Sequence, residues 1–262
     1  MDFAQEKPFS ELVRAVREAG DVLLSLWPGK SNAAKSLSIS QKDDGSLVSE
    51  ADIRSNEILM KALAALYPGD AIFSEEVTPD LDSLRASRRT WIIDPLDGTS
   101  AFLEGRDDFS ILVGLAENHR ASAGILYLVA RDQMLLAQDG HGAFCNGQAI
   151  HVSRFQKPRA GKVYFRHCTS PVEGLASPHM DSGLALAQVA MGELDGVVLK
   201  MKTHKEWDLA APMAILQEAG ATVTDERGGD IPLGIGDIGF TYLIASNGLV
   251  HDELLSIVAT LG

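Results

Sequence analysis

The sequence predicts an α+β fold built as a layered sandwich of helices and sheets. Three observations lead there. Apolar residues recur at helical spacing near the start of the chain. From residue 91 the pattern changes to short apolar runs separated by turn residues. Beyond about residue 160, helical and strand patterns mix again. Strands grouped in runs, with helices between the groups, suit stacked layers better than a strictly alternating parallel sheet. The 262 residues and 45% hydrophobic content provide for one large core or two moderate ones, since domains commonly run ~100–200 residues.

Taken in order, "FSELVRAVREAGDVLLSLW" (9–27) places Phe9, Leu12, Val13, Val16, Ala19, Leu23 and Leu26 at helical spacing. "QKDDGSLVSEAD" (41–52) is polar and reads as a loop. It leads into a second helix, "ADIRSNEILMKALAALY" (51–67), stopped by Pro68-Gly69-Asp70. "AIFSEE" (71–76) is a short strand ending in two acids. Strands follow at "WIID" (91–94), "FSILVGLAE" (109–117), "SAGILYLVA" (122–130) and "QMLLAQ" (133–138). The pairs Asp139-Gly140 and Asn146-Gly147 then mark tight hairpin turns.

"RFQKPRAG" (154–161) reads as a connection, which puts a boundary near 150 and suggests two units, 1–150 and 151–262. The second unit is expected to hold strands at 162–165, 196–201, 221–225 and 242–246. Its helices are expected at 182–194, 207–220 and 251–261.

Composition excludes several functions. A net charge of −13 argues against general binding to a nucleic acid backbone. It also repels any anionic substrate, a difficulty that bound metal ions would relieve locally. No apolar run approaches the ~18–20 residues that cross a bilayer. The start of the chain mixes acids with bases and lacks an apolar targeting core, so a cytoplasmic protein is expected. Cys145 and Cys168 are far apart and fit no metal or redox spacing. They read as small buried thiols in a reducing compartment.

Four acids stand at the ends of apolar elements: Glu75 after "AIFS", Asp94 after "WII", Asp97 on the following turn, and Asp208 at the opening of "WDLAAPMAIL". Strand ends and helix starts are where layered folds form clefts. An acid there also has a plain use, as a turn former or a helix cap. The pair in "WIIDPLDGT" (91–99) asks for more. Two like charges about 4 Å apart repel by roughly 1 kcal/mol in water and about 4 kcal/mol at an effective dielectric of 20. Carboxylates gathered in a cleft must take up protons or share a cation. Hard oxygen ligands with no His or Cys among them suit Mg²⁺. Pro95 stiffens the turn so that the Leu96 carbonyl can serve as a further oxygen ligand. Gly98 lets the backbone approach an anion, and a helix starting after Thr99 would turn free N–H groups toward a phosphate. These are the parts of a metal-assisted phosphate hydrolase.

"WIIDPLDGT" resembles the first signature of the inositol monophosphatase superfamily, and "EWDLAAPMAILQEAGATVTD" (206–225) resembles the second. "SEE" (74–76), "KDDGSLVSEAD" (42–52, with Ser49 in place of the usual Thr) and "DSGLALAQVAMGELDG" (181–196) are similar to intervening family segments, in family order. The resemblance implies a layered α-β-α-β-α sandwich. It also implies a Li⁺-sensitive phosphomonoesterase with two or three Mg²⁺ per site, a small phosphorylated substrate and a homodimer.

Carried over by position, it assigns Glu75, Asp94 and the Leu96 carbonyl to one metal, and Asp94, Asp97 and Asp208 to a second. Gly98 and Thr99 would bind the phosphate through their N–H groups. Thr99 and Asp52, with Glu75, would activate the attacking water directly, without a phosphoenzyme. Asp52 also completes a capping-box pattern with Ser49, and the two roles are compatible. Ser182 and Gly183 align with substrate-side positions.

The substrate is less legible. Just before the second signature, where inositol phosphatases carry an acid, this chain has Met201 within a basic stretch of Lys200, Lys202, His204 and Lys205. "KTHKEWD" (202–208) is similar to the corresponding segment of 3′(2′),5′-bisphosphate nucleotidases of the superfamily. That makes Lys202 and Lys205 candidates for holding a second phosphate. The alternatives are a solvated strand end and an inositol, histidinol or fructose phosphate substrate. A non-catalytic, RNA- or transcription-associated role is a further alternative.

Overall fold

The computed structural model describes residues 7–29, 39–41 and 47–261. Helix α1 (Lys7–Leu26) buries Phe9, Leu12, Val16, Ala19 and Leu23, the three- and four-residue spacing that forms one apolar face. Strands β1 (Ile39–Gln41) and β2 (Leu47–Ser49) pair antiparallel, so the stretch expected to be a loop contains strand at 47–49. Residues 42–46 of that stretch lie outside the described residues. Helix α2 (Glu50–Leu66) starts on a capping box: Ser49 Oγ accepts from the Ala51 N–H, and Asp52 accepts from the Ser49 N–H.

The large sheet follows. Its strands are β3 (Ala71–Ser74), β4 (Arg89–Asp97), β5 (Ser110–Glu117), β6 (Arg120–Leu128), β7 (Gln133–Gln138), β8 (Gly142–Cys145) and β9 (Gln148–Ile150), side by side in that order. Only the β3–β4 pair is parallel. The β8–β9 hairpin turns on Asn146-Gly147, with φ of 48° and 80°, the left-handed pair that a two-residue type I′ turn requires. Two short helices, α3 (Leu81–Ala86) and α4 (Thr99–Leu103), lie in the connections flanking β4. At six residues α3 is too short to show a periodicity, although Asp80 caps it through the Asp82 and Ser83 N–H groups.

The chain then builds a smaller sheet from β10 (Val163–Arg166), β11 (Gly196–Lys200), β12 (Thr222–Asp225) and β13 (Tyr242–Ser246), in the order β10-β11-β13-β12. Helices α5 (Ser182–Ala190), α6 (Glu206–Glu218) and α7 (His251–Val258) accompany it. Helix α5 stops short of its expected end at 194 because Gly192, at φ 74°, turns the chain just beyond it.

Alternation along the strands explains the layering. Trp91, Ile93, Ile111, Val113, Ile125 and Tyr127 point to one face of the large sheet and pack with α1 and α2. Ile92, Leu112, Leu126 and Leu128 point to the other, and share a core with α5, α6 and Val197, Leu199, Leu243 and Ala245 of the small sheet. Val198, Tyr242 and Ile244 face outward from the small sheet onto Leu254, Ile257 and Val258 of α7. The result is an α-β-α-β-α sandwich. Sheets covered on both faces read as continuous apolar runs rather than alternating ones, which is why "SILVGLA" shows no period of two. Among the described residues no helix is long and apolar enough to cross a membrane. Cys145 and Cys168 are free, and half-buried rather than buried.

The central helix α6 sits unusually close to the large sheet. Gly114 and Gly124 are cross-strand partners beneath it. A Cβ added at Gly114 would come within 2.5 Å of the Ala211 nitrogen, and one at Gly124 within 2.4 Å of the Ala211 carbonyl oxygen. Alanines at 210 and 211 complete the contact. Gly124→Ala must therefore lift the helix off the sheet. We expect a loss of about 1–3 kcal/mol, the usual cost of overpacking, measured by denaturant unfolding. Gly69→Ala, where nothing lies within 4 Å, should be close to neutral.

Candidate active site

The two sheets and the starts of several helices meet around the acids singled out above. Strand β4 does not end at Asp94 as the sequence suggests, but runs through Asp97 across an irregularity. Asp94 lies opposite Leu112 and Asp97 opposite Ser110, so three steps on β4 match two on β5. This bulge brings both carboxylates into one cluster. It is held from several sides. The Leu96 N–H donates to Asp94 Oδ1 at 3.0 Å, Ser55 Oγ on α2 donates to the Pro95 carbonyl at 2.7 Å, and the Glu75 N–H donates to the Ile93 carbonyl at 3.2 Å.

Oxygen atoms of Asp94, Asp97 and Asp208 lie within 4.8 Å of one another. Glu75, just past the end of β3, hydrogen-bonds to Asp94. Asp97 Oδ2 accepts from Ser110 Oγ at 2.9 Å. Asp208 reaches the cluster from the first turn of α6, where it also accepts from the Lys205 N–H at 2.5 Å. Asp52 and Thr99 come together from elements 47 residues apart, with Thr99 Oγ donating to Asp52 Oδ1 at 3.1 Å. Asp52 is buried and keeps its capping bonds to Ser49 at the same time. Gly98 has φ 82°, and α4 begins at Thr99. A Cβ on Gly98 would sit 3.1 Å from the Asp181 carboxyl carbon.

Burial dominates the electrostatics. It pushes Asp94 well above the usual carboxylate range, and the neighbouring charges of Glu75, Asp97 and Asp208 push it further. Asp97 is raised by burial and then by Asp181 and Asp208. Burial drives Asp208 up to about 8, against the opposing Lys205 N–H bond. Asp52 also moves up through burial, held back by its bonds to Ser49 and Thr99. Carboxylates with such shifts ionise together only when a cation joins them.

Several members of this neighbourhood were not apparent from sequence. Asp181 caps α5 and shares a hydrogen bond with Asp97. Arg166 Nη2 lies 3.9 Å from its Oδ2, and the Asp181 N–H donates to Asp108 Oδ2 at 2.8 Å. The "MDSG" cap ahead of an apolar helix was the available signal. Arg166, at the end of β10, also lies 3.1 Å from His179 Nε2. Of the expected substrate residues, Lys202 and Lys205 are exposed, whereas Ser182 is buried with its hydroxyl 3.1 Å from His204 Nε2. Gly183 backs onto the acids, since a Cβ there would meet Asp97 Oδ2 at 2.2 Å. His204 is buried and held neutral, pushed down to about 4 by burial and by the nearby His167 and Arg166. Met201 is partly buried and packs against the central core.

The chain has counterparts over nearly its whole length. A Thermotoga maritima fructose-1,6-bisphosphatase/inositol-1-monophosphatase is 30% identical over 260 residues, covering 94% of this chain and 93% of its own. A Nus factor SuhB of Xylella fastidiosa is 29% identical over 277 residues, covering 98% and 96%. The solved structure of a Thermotoga maritima IMPase matches with a TM-score of 0.81 at 26% identity, over 95% of each chain. The model of the inositol monophosphatase family matches residues 5–261. The chain therefore belongs to the inositol monophosphatase family, metal-dependent phosphatases that hydrolyse phosphoric monoesters.

Proposed function

We propose that this protein hydrolyses a small phosphate ester by direct attack of water, with two or three Mg²⁺ per site, and that its substrate carries a second anionic group, as a 3′(2′),5′-bisphosphate nucleotide does. The observation that carries the reaction is the convergence of Asp94, Asp97 and Asp208 within 4.8 Å, next to the Thr99–Asp52 pair. The donor set is all carboxylate and carbonyl oxygen, the chemistry that suits Mg²⁺. Glu75, Asp94 and the Leu96 carbonyl would hold one ion, and Asp94, Asp97 and Asp208 another. When bound, the ions supply Lewis-acid stabilisation of the phosphoryl oxygens and make water a better nucleophile. Thr99 Oγ, bonded to Asp52, orients the attacking water, and Asp52 draws its proton through the hydroxyl. Gly98 and Thr99 N–H groups hold the phosphoryl oxygens at the start of α4.

The substrate reading rests on charge. Arg166, Lys202 and His179 share one neighbourhood, since each helps to hold His167 below its ordinary range after burial itself. Arg166 lies next to Asp181, and so beside the acids that would hold the metals. In a chain of net charge −13, this is a cationic flank on an anionic centre. An inositol or histidinol phosphate offers it no second anionic group, whereas a bisphosphorylated nucleotide or a fructose bisphosphate does.

Several outcomes test this. Asp94→Asn should lose Mg²⁺-dependent phosphate release while the protein stays folded by circular dichroism. An active variant, or wild-type turnover that survives excess chelator, rules the metal site out. Lys202→Ala with Lys205→Ala should raise KM for a bisphosphorylated nucleotide about tenfold to a hundredfold, the loss of roughly 1.5–3 kcal/mol expected of a charge-assisted bond. It should leave kcat and monophosphate turnover near wild type, because the contact lies away from the reacting bond. Equal response of both substrates makes the stretch a solvated surface, and inositol phosphate then leads a substrate panel.

The pKa shifts set a pH dependence for the metal-free protein. Asp208 rises from 3.8 to about 8 on folding. Between those values the native state holds a proton that the unfolded chain has released, so stability falls as pH rises. Buried His204 acts oppositely, but its contribution is lost mainly below its unfolded value of 6.5. In chelator, Tm should therefore drop between about pH 6.5 and 8.5, and Mg²⁺ should restore more at the alkaline end. A Tm that is flat or rising in chelator over that range contradicts the buried-charge account.

A further inference from the structure

Two residues ahead of Asp208, the first residue of α6 is an acid that the catalytic scheme leaves unused. Glu206 is 3% exposed and points away from solvent into the loop of residues 234–237. Its carboxylate accepts four consecutive backbone N–H groups. Oε1 takes those of Ile235, Gly236 and Asp237 at 3.2, 2.6 and 3.1 Å, and Oε2 takes that of Gly234. Gly234 and Gly236 have φ of 73° and 74°, the left-handed turns that gather successive N–H groups into an anion-holding concavity. A buried carboxylate with this many donors is firmly anchored.

The loop is itself tied to helix α3. Arg85 Nε on α3 donates to the Ile235 carbonyl at 2.9 Å. A Cβ on Gly236 would meet the Leu81 side chain at 2.4 Å, so the loop lies directly on α3. Helix α3 follows Glu75 by a few residues, and Trp207 packs edge-on against Phe73 of β3, ring centroids 5.3 Å apart. Glu206 thus fastens the start of α6, which carries Asp208, to the segment that follows β3, which carries Glu75.

We propose that Glu206 is a positioning residue that sets the place of Asp208 in the acid cluster, and so the affinity of the cation that Asp208 helps to hold. This rests on the metal reading of Asp208 given above. Glu206→Gln keeps the volume but replaces one acceptor oxygen by an NH₂ facing donors, so at least one of the loop N–H groups loses its partner.

The test is calorimetric titration of Mn²⁺ into the metal-free protein, with Asp208→Asn as reference. Glu206→Gln should weaken the same binding phase that Asp208→Asn weakens, by about tenfold to a hundredfold, the range for removing an outer partner of a metal ligand. It should leave the other phase within about twofold. In turnover, the Mg²⁺ concentration for half-activation should rise accordingly, while kcat at saturating Mg²⁺ falls less than about threefold. Should Glu206→Gln not fold, Arg85→Ala, an exposed residue that cuts only the tie from α3 to the loop, should shift the same phase in the same direction by a smaller factor.

The proposal is overturned if folded Glu206→Gln binds Mn²⁺ as wild type does, or if it weakens every phase equally. With Glu206→Gln unfolded, it is overturned if Arg85→Ala binds unchanged. Wild-type protein that binds Mn²⁺ but hydrolyses no phosphate ester would defeat the functional reading, and the binding arms would still decide the role of Glu206.

Discussion

The mutual repulsion of buried and half-buried carboxylates is the constraint around which this molecule is arranged. Asp94, Asp97 and Asp208 share a space 4.8 Å across, with Glu75 and Asp181 at their edges. Left alone they would protonate or move apart, and burial favours protonation by disfavouring the charged form. Keeping them together without a cation requires every carboxylate to be held by something stiffer than its own side chain. The bulge at Pro95–Leu96 is pinned by Ser55 and by the Asp94 carboxylate itself. Asp97 is backed by Ser110 and walled by Gly183. On the metal reading proposed above, this geometry would be preorganised for a divalent cation, and the repulsion would become binding free energy when one arrives.

That stiffness comes from small residues as much as from hydrogen bonds. Helix α6 can bring Asp208 down to the level of Asp94 only because Gly114 and Gly124 leave a trough in the sheet and Ala210 and Ala211 fill it. Helix α5 approaches Asp97 only because residue 183 has no side chain. Gly98 serves twice, through its left-handed backbone and through the room it leaves for Asp181. At these positions the missing side chain does the placing, and no polar motif announces it.

This asymmetry explains what the sequence revealed. The layered α+β class was legible because sheets buried on both faces give long apolar runs that cluster between helical patterns. The cluster of Asp94, Asp97 and Asp208 was legible because charged residues at the ends of such runs are costly and therefore informative. Asp181 and Arg166 were not, since each acts through partners distant in the chain: Asp181 through Asp97, and Arg166 through Asp181. His204 was legible only as a member of the basic stretch, whereas it is buried beside Ser182 and lowered in pKa. Helix α3 and the strand at 47–49 escaped because six and three residues are too few to show a period. Met201, puzzling as a missing sugar-binding acid, finds an apolar place against the core.

The opposition between capping and chemistry, which seemed to set two readings of each acid against one another, dissolves in the fold. Asp52 stands in the first turn of α2, Asp181 at the cap of α5 and Asp208 in the first turn of α6, and each accepts backbone N–H groups of its own helix start. Thr99, which donates to Asp52, opens α4. Helix beginnings therefore meet at the acid cluster, and each contributes a partial positive charge of roughly half a unit, worth about 0.3–1 kcal/mol to a nearby anion. None of these is large enough to replace a metal ion. Together they lower the cost of keeping the carboxylates in place before a cation binds. An acid used to start a helix is thus already in the position, and in the field, that metal-assisted chemistry needs.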